Sequence, residues 1–163
     1  MVNGKQKGNA FERQIANQLS ERFAAYTNLP KSFRRNSDSG SFFGGTNERR
    51  TVTHDTTLAC FGDILTPKTF RFSIECKAYR TAPSLNAIMK QQVPQWDKWI
   101  EQAERDAKNA NKALLLICRY NGMKEFALTA PNNAPQQSIV SYKQYVLTPL
   151  IDWLRADDDW YFE

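Results

Sequence analysis

The chain has 163 residues, 41% of them hydrophobic, with four Trp, six Tyr and ten Phe. That is enough for one hydrophobic core and too little for two independent domains. Its apolar runs, such as residues 113–118, are far shorter than the roughly 20 residues that span a bilayer. No apolar stretch follows the charged N-terminus, so neither a membrane segment nor a secretory signal is expected, and a cytoplasmic location is. The net charge of +5 is unevenly spread: residues 1–80 carry 13 basic and 7 acidic side chains, residues 81–163 carry 9 and 10. The basic surplus therefore belongs to the first half, where it serves either a polyanionic partner or solvated surface. Three Cys without a CxxC pair, together with the single His54, exclude a disulfide framework and a zinc site.

Phe11, Ile15, Leu19 and Phe23 recur every four positions among polar residues, which predicts an amphipathic helix from Asn9 to about Ala25. From about 31 to 56 the periodicity is lost and Ser, Gly and Arg dominate, the composition of a long mobile basic loop. Phe42 and Phe43 stand out there as adjacent aromatics suited to folding back on the core, docking on a partner subunit or wedging into a ligand. Residues 57–65 are strand-like, residues 67–69 a turn, and residues 70–79 a strand alternating Phe70, Phe72, Ile74, Cys76 and Ala78 with Arg71, Ser73, Glu75, Lys77 and Tyr79; the two runs form an antiparallel hairpin. Pro94 opens a second helix that places Trp96, Trp99, Ile100, Ala103 and Ala107 on one face through about Asn109. Residues 113–119 read as a strand buried on both faces, and Asn121-Gly122 as a type I′ turn into a strand over residues 125–129. Residues 132–138 form a polar loop, and residues 139–147 fit helix and strand alike. Thr148-Pro149 caps a short helix over residues 150–155. Asp157, Asp158 and Asp159 read as a solvated acidic terminus. Trp153, Trp160, Tyr161 and Phe162 suit core packing before a dimer seal.

The chemistry concentrates in Asp63, Glu75 and Lys77. Two apart on a strand, Glu75 and Lys77 leave the same face while Ile74, Cys76 and Ala78 turn to the core. Asp63 on the preceding strand can come across from them. Two carboxylates on rigid backbone, with the Cys76 carbonyl as a third oxygen, suit a hard divalent cation with positions left for water and a phosphate oxygen. Lys77 would then hold or help deprotonate the attacking water. A surface Glu-x-Lys ion pair is the plainer account of the same residues, and is worth about 0–1 kcal/mol. Glu12 sits at the margin of the first helix's apolar stripe, where it either faces the sheet or pairs with Arg13 or Arg22.

The order of Glu12 on the first helix, Gly62-Asp63-Ile64, then Ile74-Glu75-Cys76-Lys77, followed by a helix containing Gln91, Gln92 and Trp96, resembles the PD-(D/E)xK nuclease superfamily. Residues 7–13, Lys-Gly-Asn-Ala-Phe-Glu-Arg, and the loop 34–41, Arg-Arg-Asn-Ser-Asp-Ser-Gly-Ser, bring it nearest to the archaeal-type Holliday junction resolvases and their phage-borne relatives. The resemblance covers residues 7 to 119. It implies an α/β restriction-endonuclease-like core, a central mixed β-sheet flanked by helices in the order α-β-β-β-α-β-β. The implied protein is a single nuclease domain with a core over about 7–130, the basic loop over about 31–56 and a C-terminal extension over about 131–163.

It also implies a homodimer that resolves four-way DNA junctions in recombination and repair with Mg²⁺, or with Mn²⁺ in its place, in the host cytoplasm if phage-encoded. By motif position Glu12, Asp63 and Glu75 are the metal-site carboxylates and Lys77 the water-positioning base, with Arg13 and a loop serine, Ser37, Ser39 or Ser41, in support, Ser39 foremost. Gly62 stands where the superfamily motif has proline, and residues 42–55 look like an insertion. Lys5, Lys7, Arg13, Arg34, Arg35, Arg49 and Arg50 are candidates for gripping the DNA backbone by shape. The rival readings are a restriction- or repair-type nuclease acting on duplex or nicked DNA, and a DNA-binding module of the same fold that does not cut.

Overall fold

The computed structural model describes residues 4–36, 61–135 and 140–163, with the side chain of Lys5 left out. Ser39, Arg49, Arg50, Phe42 and Phe43, and the residues 57–60 expected to begin a strand, lie outside the described residues. Helix α1 spans Gly4–Arg22, beginning earlier than its apolar stripe, and is followed by the short α2, Ala24–Thr27. Phe11, Ile15, Leu19 and Phe23 are all fully buried. The second helix ends where Asn28 takes a left-handed φ of 53°, a conformation Asn tolerates better than most residues.

Among the described residues one mixed sheet of seven strands runs through the centre in the order β1-β2-β3-β4-β5-β7-β6. The strands are β1 Arg34–Arg35, β2 Ile64–Leu65, β3 Phe72–Tyr79, β4 Ala113–Tyr120, β5 Phe126–Thr129, β6 Val140–Tyr142 and β7 Tyr145–Pro149. Strands β3 and β4 are parallel from Phe72↔Ala113 to Tyr79↔Tyr120, and every other pairing is antiparallel. Their connection is the helical crossover that parallel strands require, made of α3, Leu85–Met89, and α4, Pro94–Ala110. Alternation on β4 divides the core in two. Leu115 and Ile117 join Ile74, Cys76 and α1 on one face; Leu114, Leu116 and Cys118 join Trp96, Trp99, Ile100 and Ala103 of α4 on the other. The expected restriction-endonuclease-like α/β architecture is thus the observed one, and Glu75 and Lys77 leave β3 on the face opposite Ile74 and Cys76.

Several local expectations differ. Arg34 and Arg35, read as loop, form β1, anchored by the buried Phe33 and Asn36 on either side. In the strand-like run 57–65 only Ile64–Leu65 is strand among the described residues. The turn after β4 is not type I′, because positive φ falls on Gly122 (+74°) and not on Asn121. With the Met123 N–H donating to the Tyr120 carbonyl at 3.1 Å, it has the form of a type II turn. Residues 140–149 settle as a β-hairpin, and Thr148-Pro149 ends β7 instead of capping a helix; the Thr148 hydroxyl is buried without a partner. The helix that follows, α5, covers Leu150–Trp153, and α6 covers Asp158–Tyr161.

In the acidic tail Asp157 and Asp159 are exposed as expected, and Asp158 is the half-buried exception. Arg22 donates to Asp158 Oδ1 at 2.5 Å and to the Leu154 and Ala156 carbonyls at 2.9 and 3.0 Å. Phe162 pairs antiparallel with Phe70, and Trp153 and Tyr161 are fully buried among Phe23, Phe70 and Phe72. Core packing, not an exposed aromatic seal, is where these rings go. Truncating Trp153 to Ala should therefore cost about 3–5 kcal/mol of stability, the range for a large buried aromatic. A urea midpoint unchanged from wild type would show instead that the C-terminal segment is not part of the core.

Candidate active site

Strand β2 meets β3 at Ile64↔Ile74 and goes no further. Beyond Ile74, that edge of β3 has no strand beside it among the described residues, and its backbone needs other partners. Asp63 supplies one: its N–H donates to the Ile74 carbonyl at 2.8 Å, and its Oδ2 accepts from the Cys76 N–H at 2.9 Å. Because a residue's N–H and C=O leave a strand on the same edge, the Cys76 carbonyl also looks toward Asp63 and not toward β4.

The corner carrying Asp63 is pinned from behind. The Asn36 N–H donates to the Asp63 carbonyl at 2.8 Å and the Asn36 side-chain amide to the Gly62 carbonyl at 3.0 Å. Gly62 has φ +81°, and a Cβ there would lie 2.6 Å from the Ile74 carbonyl oxygen. Proline, fixed near −65°, could not adopt this turn, which is the physical reason for glycine at the position.

Glu75 is 2% exposed. Its Oε1 accepts from Lys77 Nζ and from Gln102 Nε2 on α4, each at 2.5 Å, and Lys77 Nζ also donates to Gln102 Oε1 at 3.1 Å. Glu75 Oε2 is buried with no hydrogen-bond partner. Glu12 comes from α1 around the open sheet edge, 9% exposed, and accepts from Arg35 Nε at 2.6 Å; Arg35 also donates to Asn9 Oδ1 at 2.9 Å. The partner of Glu12 is thus Arg35 and neither Arg13 nor Arg22. Glu12, Asp63, Glu75, Cys76, Lys77 and Gln102 line one open cleft of about 330 Å³, with Gly4 and Gly8 of α1 at one side.

The electrostatics follow from burial and crowding. Burial, with Asp63 adding, pushes the Glu75 carboxyl up to about 8. Burial and Asp63 likewise raise Glu12, against the pull of Arg35. Lys77 is held above its ordinary value: burial works against its charge, and the charge and hydrogen bond of Glu75 outweigh it. Asp106, one helical turn after Gln102, is raised by burial, with Arg105 opposing and Asp63 adding. Among the described residues no three His, Cys, Asp and Glu side chains are set as a ready metal centre. The donor chemistry nevertheless fits a hard divalent cation. Carboxylates that raise one another's proton affinity, a bare buried carboxylate oxygen and a backbone carbonyl on the same strand edge are oxygen donors short of positive charge.

The other candidates are dispersed. Arg13 and Arg34 are exposed, Lys7 donates to Asn121 Oδ1 at 2.7 Å, and Arg35 is taken up by Glu12 and Asn9. Gln91 and Gln92 precede α4 and are exposed, with Gln91 accepting from the Lys143 N–H. The glutamine that reaches the site is Gln102, which sequence reasoning missed. Its one available signal was position: Trp99, Gln102 and Asp106 form an i, i+3, i+7 row bordering the apolar stripe of α4. Asn36 and Arg35 were likewise not seen as supports of Asp63 and Glu12.

This fold, with an acidic corner across from Glu-x-Lys on the central strand and a glutamate from the first helix, defines a nuclease core of the PD-(D/E)xK type. The profile of a family described as "Phage putative PDDEXK endonuclease" matches residues 3–158, and the chain belongs to that family. Its members are nucleases of a superfamily that generally employs divalent metals. No curated protein and no solved structure matches the chain. Among the described residues no helix is long and apolar enough to cross a membrane.

Two outcomes are expected from this geometry. Gly62→Ala forces an L-residue into the left-handed region, at about 1–2 kcal/mol, and drives a methyl into β3. Thermal unfolding should show the loss, and an unaltered midpoint would mean that the corner relaxes freely. In metal-free buffer, Glu75 binds its proton more tightly folded than unfolded. The associated stability is therefore complete below the ordinary value of 4.5 and lost as pH rises through about 8. Urea titrations in EDTA should show stability falling across that window, and Glu75→Gln should flatten the slope and be the more stable protein at its alkaline end.

Proposed function

We propose that the protein is a Mg²⁺-dependent, structure-selective DNA endonuclease that resolves four-way junctions as a homodimer, with Mn²⁺ able to replace Mg²⁺. The observation that carries the reading is the meeting of Glu12, Asp63, Glu75 and Lys77, from three separate stretches of chain, in one cleft beside β3. In this assignment Asp63, Glu75 and the Cys76 carbonyl hold the cation, which when bound polarises the scissile phosphate and neutralises developing charge. Lys77, kept cationic beside Glu75, holds the attacking water and offers positive charge to the phosphate oxygens. Glu12, aligned by Arg35, adds the third carboxylate at the sheet edge. Such contacts, set before the substrate arrives, are commonly worth about 3–4 kcal/mol each.

Lys7, Arg13 and Arg34, with Lys5, Arg35, Arg49, Arg50 and Ser39 in further support, are assigned to the DNA backbone. The preference for a branched substrate rests on the resemblance to junction resolvases and on the lack of a recognisable base-reading motif in the sequence. Two symmetric cuts across a junction need two copies of the site, hence the dimer.

The test incubates the protein with a four-way junction, a nicked duplex and a linear duplex, each with Mg²⁺ and with EDTA. Paired nicks on the junction, dependent on Mg²⁺, are the expected result. Cutting of linear or nicked duplex alone would point to a restriction- or repair-type nuclease, and binding without cutting to a non-cleaving module. Glu75→Gln should lower cutting by about a hundredfold or more with junction binding retained. Undiminished turnover would remove Glu75 from the mechanism.

A further inference from the structure

The assignment of Glu75 to the cation leaves open which of its two oxygens is offered, and the surroundings of the carboxylate answer that. Rotation about the last torsion of a glutamate is broad and nearly two-fold, so a free carboxylate exchanges its oxygens at little cost. Here Lys77 Nζ and Gln102 Nε2 both converge on Oε1 at 2.5 Å, and Gln102 Oε1 accepts from Lys77 Nζ at 3.1 Å, closing a three-membered ring of contacts. Oε2 stays buried without a partner, a condition that native proteins rarely leave without a purpose. An amide is the side chain this ring requires, because it donates to the carboxylate and accepts from the ammonium at once. Glutamate has no donor, and lysine or arginine no acceptor. Gln102 also stands mid-helix on α4, between Trp99 and Ala103, which are both packed in the core, so the amide is carried on a rigid element.

We propose that Gln102 is a positioning residue: by engaging Oε1 together with Lys77, it holds Glu75 so that Oε2 is the oxygen left for a divalent cation. This rests on the metal-site reading above and does not depend on which DNA is cut.

The test is calorimetric titration of Mn²⁺, without DNA, into the wild-type protein, Gln102→Met and Gln102→Asn. Methionine keeps the length and helix tendency and removes both polar groups; asparagine keeps the amide one methylene short of its partners. Loss of a group that orients a metal ligand typically weakens binding about 10–100-fold, so both variants should bind Mn²⁺ at least about tenfold more weakly. Their junction binding should stay at wild-type strength, and the Mg²⁺ concentration for half-maximal cutting should rise in step. A merely structural glutamine would shift the melting temperature and leave metal affinity alone.

Folded variants with Mn²⁺ affinity within about twofold of wild type would overturn the proposal, as would a folded wild-type protein that binds no Mn²⁺. If the Met variant fails to fold, the Asn variant decides. Weakened Mn²⁺ binding in a protein that cuts no DNA would sustain the role of Gln102 while removing the nuclease reading.

Discussion

The site depends on one backbone contact. Strand β2 stops after a single pairing with β3, and the next free N–H on that edge, Cys76, is taken by the carboxylate of Asp63. A side chain thus takes the place that, among the described residues, no strand fills. Everything at the cleft is referenced to this substitution: it fixes Asp63 against the main chain instead of a mobile side chain, keeps the Cys76 carbonyl on the open edge, and brings Asp63 alongside Glu75 on β3. Gly62 and Asn36 exist in this arrangement to make the corner tight enough for the contact to form.

Crowding of acids follows from that geometry and is relieved only in part by the chain. Arg35 neutralises Glu12, and Lys77 neutralises one oxygen of Glu75. The other oxygen is buried without a hydrogen-bond partner, and burial, with Asp63 adding, pushes the Glu75 carboxyl up to about 8. Breaking a buried charged pair by removing one partner is far more damaging than removing both. Lys77 and Glu75 are such a pair, with Gln102 completing the contacts of Oε1.

The regular elements were legible in the residues because burial follows periodicity. The four-residue stripe of α1, the alternation of β3 and the apolar face of α4 each stand where their spacing put them, and the same-face placement of Glu75 and Lys77 came with them. Elements whose pairing lies far along the chain were not legible. Strand β1 is two residues long, has no pattern of its own, and forms because Arg34 and Arg35 pair with Leu65 and Ile64. The turn at Asn121-Gly122 misled because two adjacent turn-forming residues do not reveal which of them takes positive φ. In the site, the carboxylates and the lysine were visible as a motif. Their supports were not, since Arg35 meets Glu12 across 23 positions and Gln102 meets Glu75 across 27. The pairing of Asp158 was hidden for the same reason: the arginine that neutralises it is 136 positions away.

A bare strand edge invites another extended chain to add itself, the first step toward fibrils and sticky oligomers. Among the described residues the sheet's outermost strands are too short to recruit a neighbour, β1 having two residues and β6 three. The long central strand β3 is the exception among them, and its open stretch lies beside Glu12, Asp63 and Glu75. An intruding backbone would have to bring its own carbonyl oxygens among those carboxylates and displace Asp63 from Cys76. The same acids that equip the cleft for chemistry thereby guard the protein against self-assembly through its most vulnerable seam.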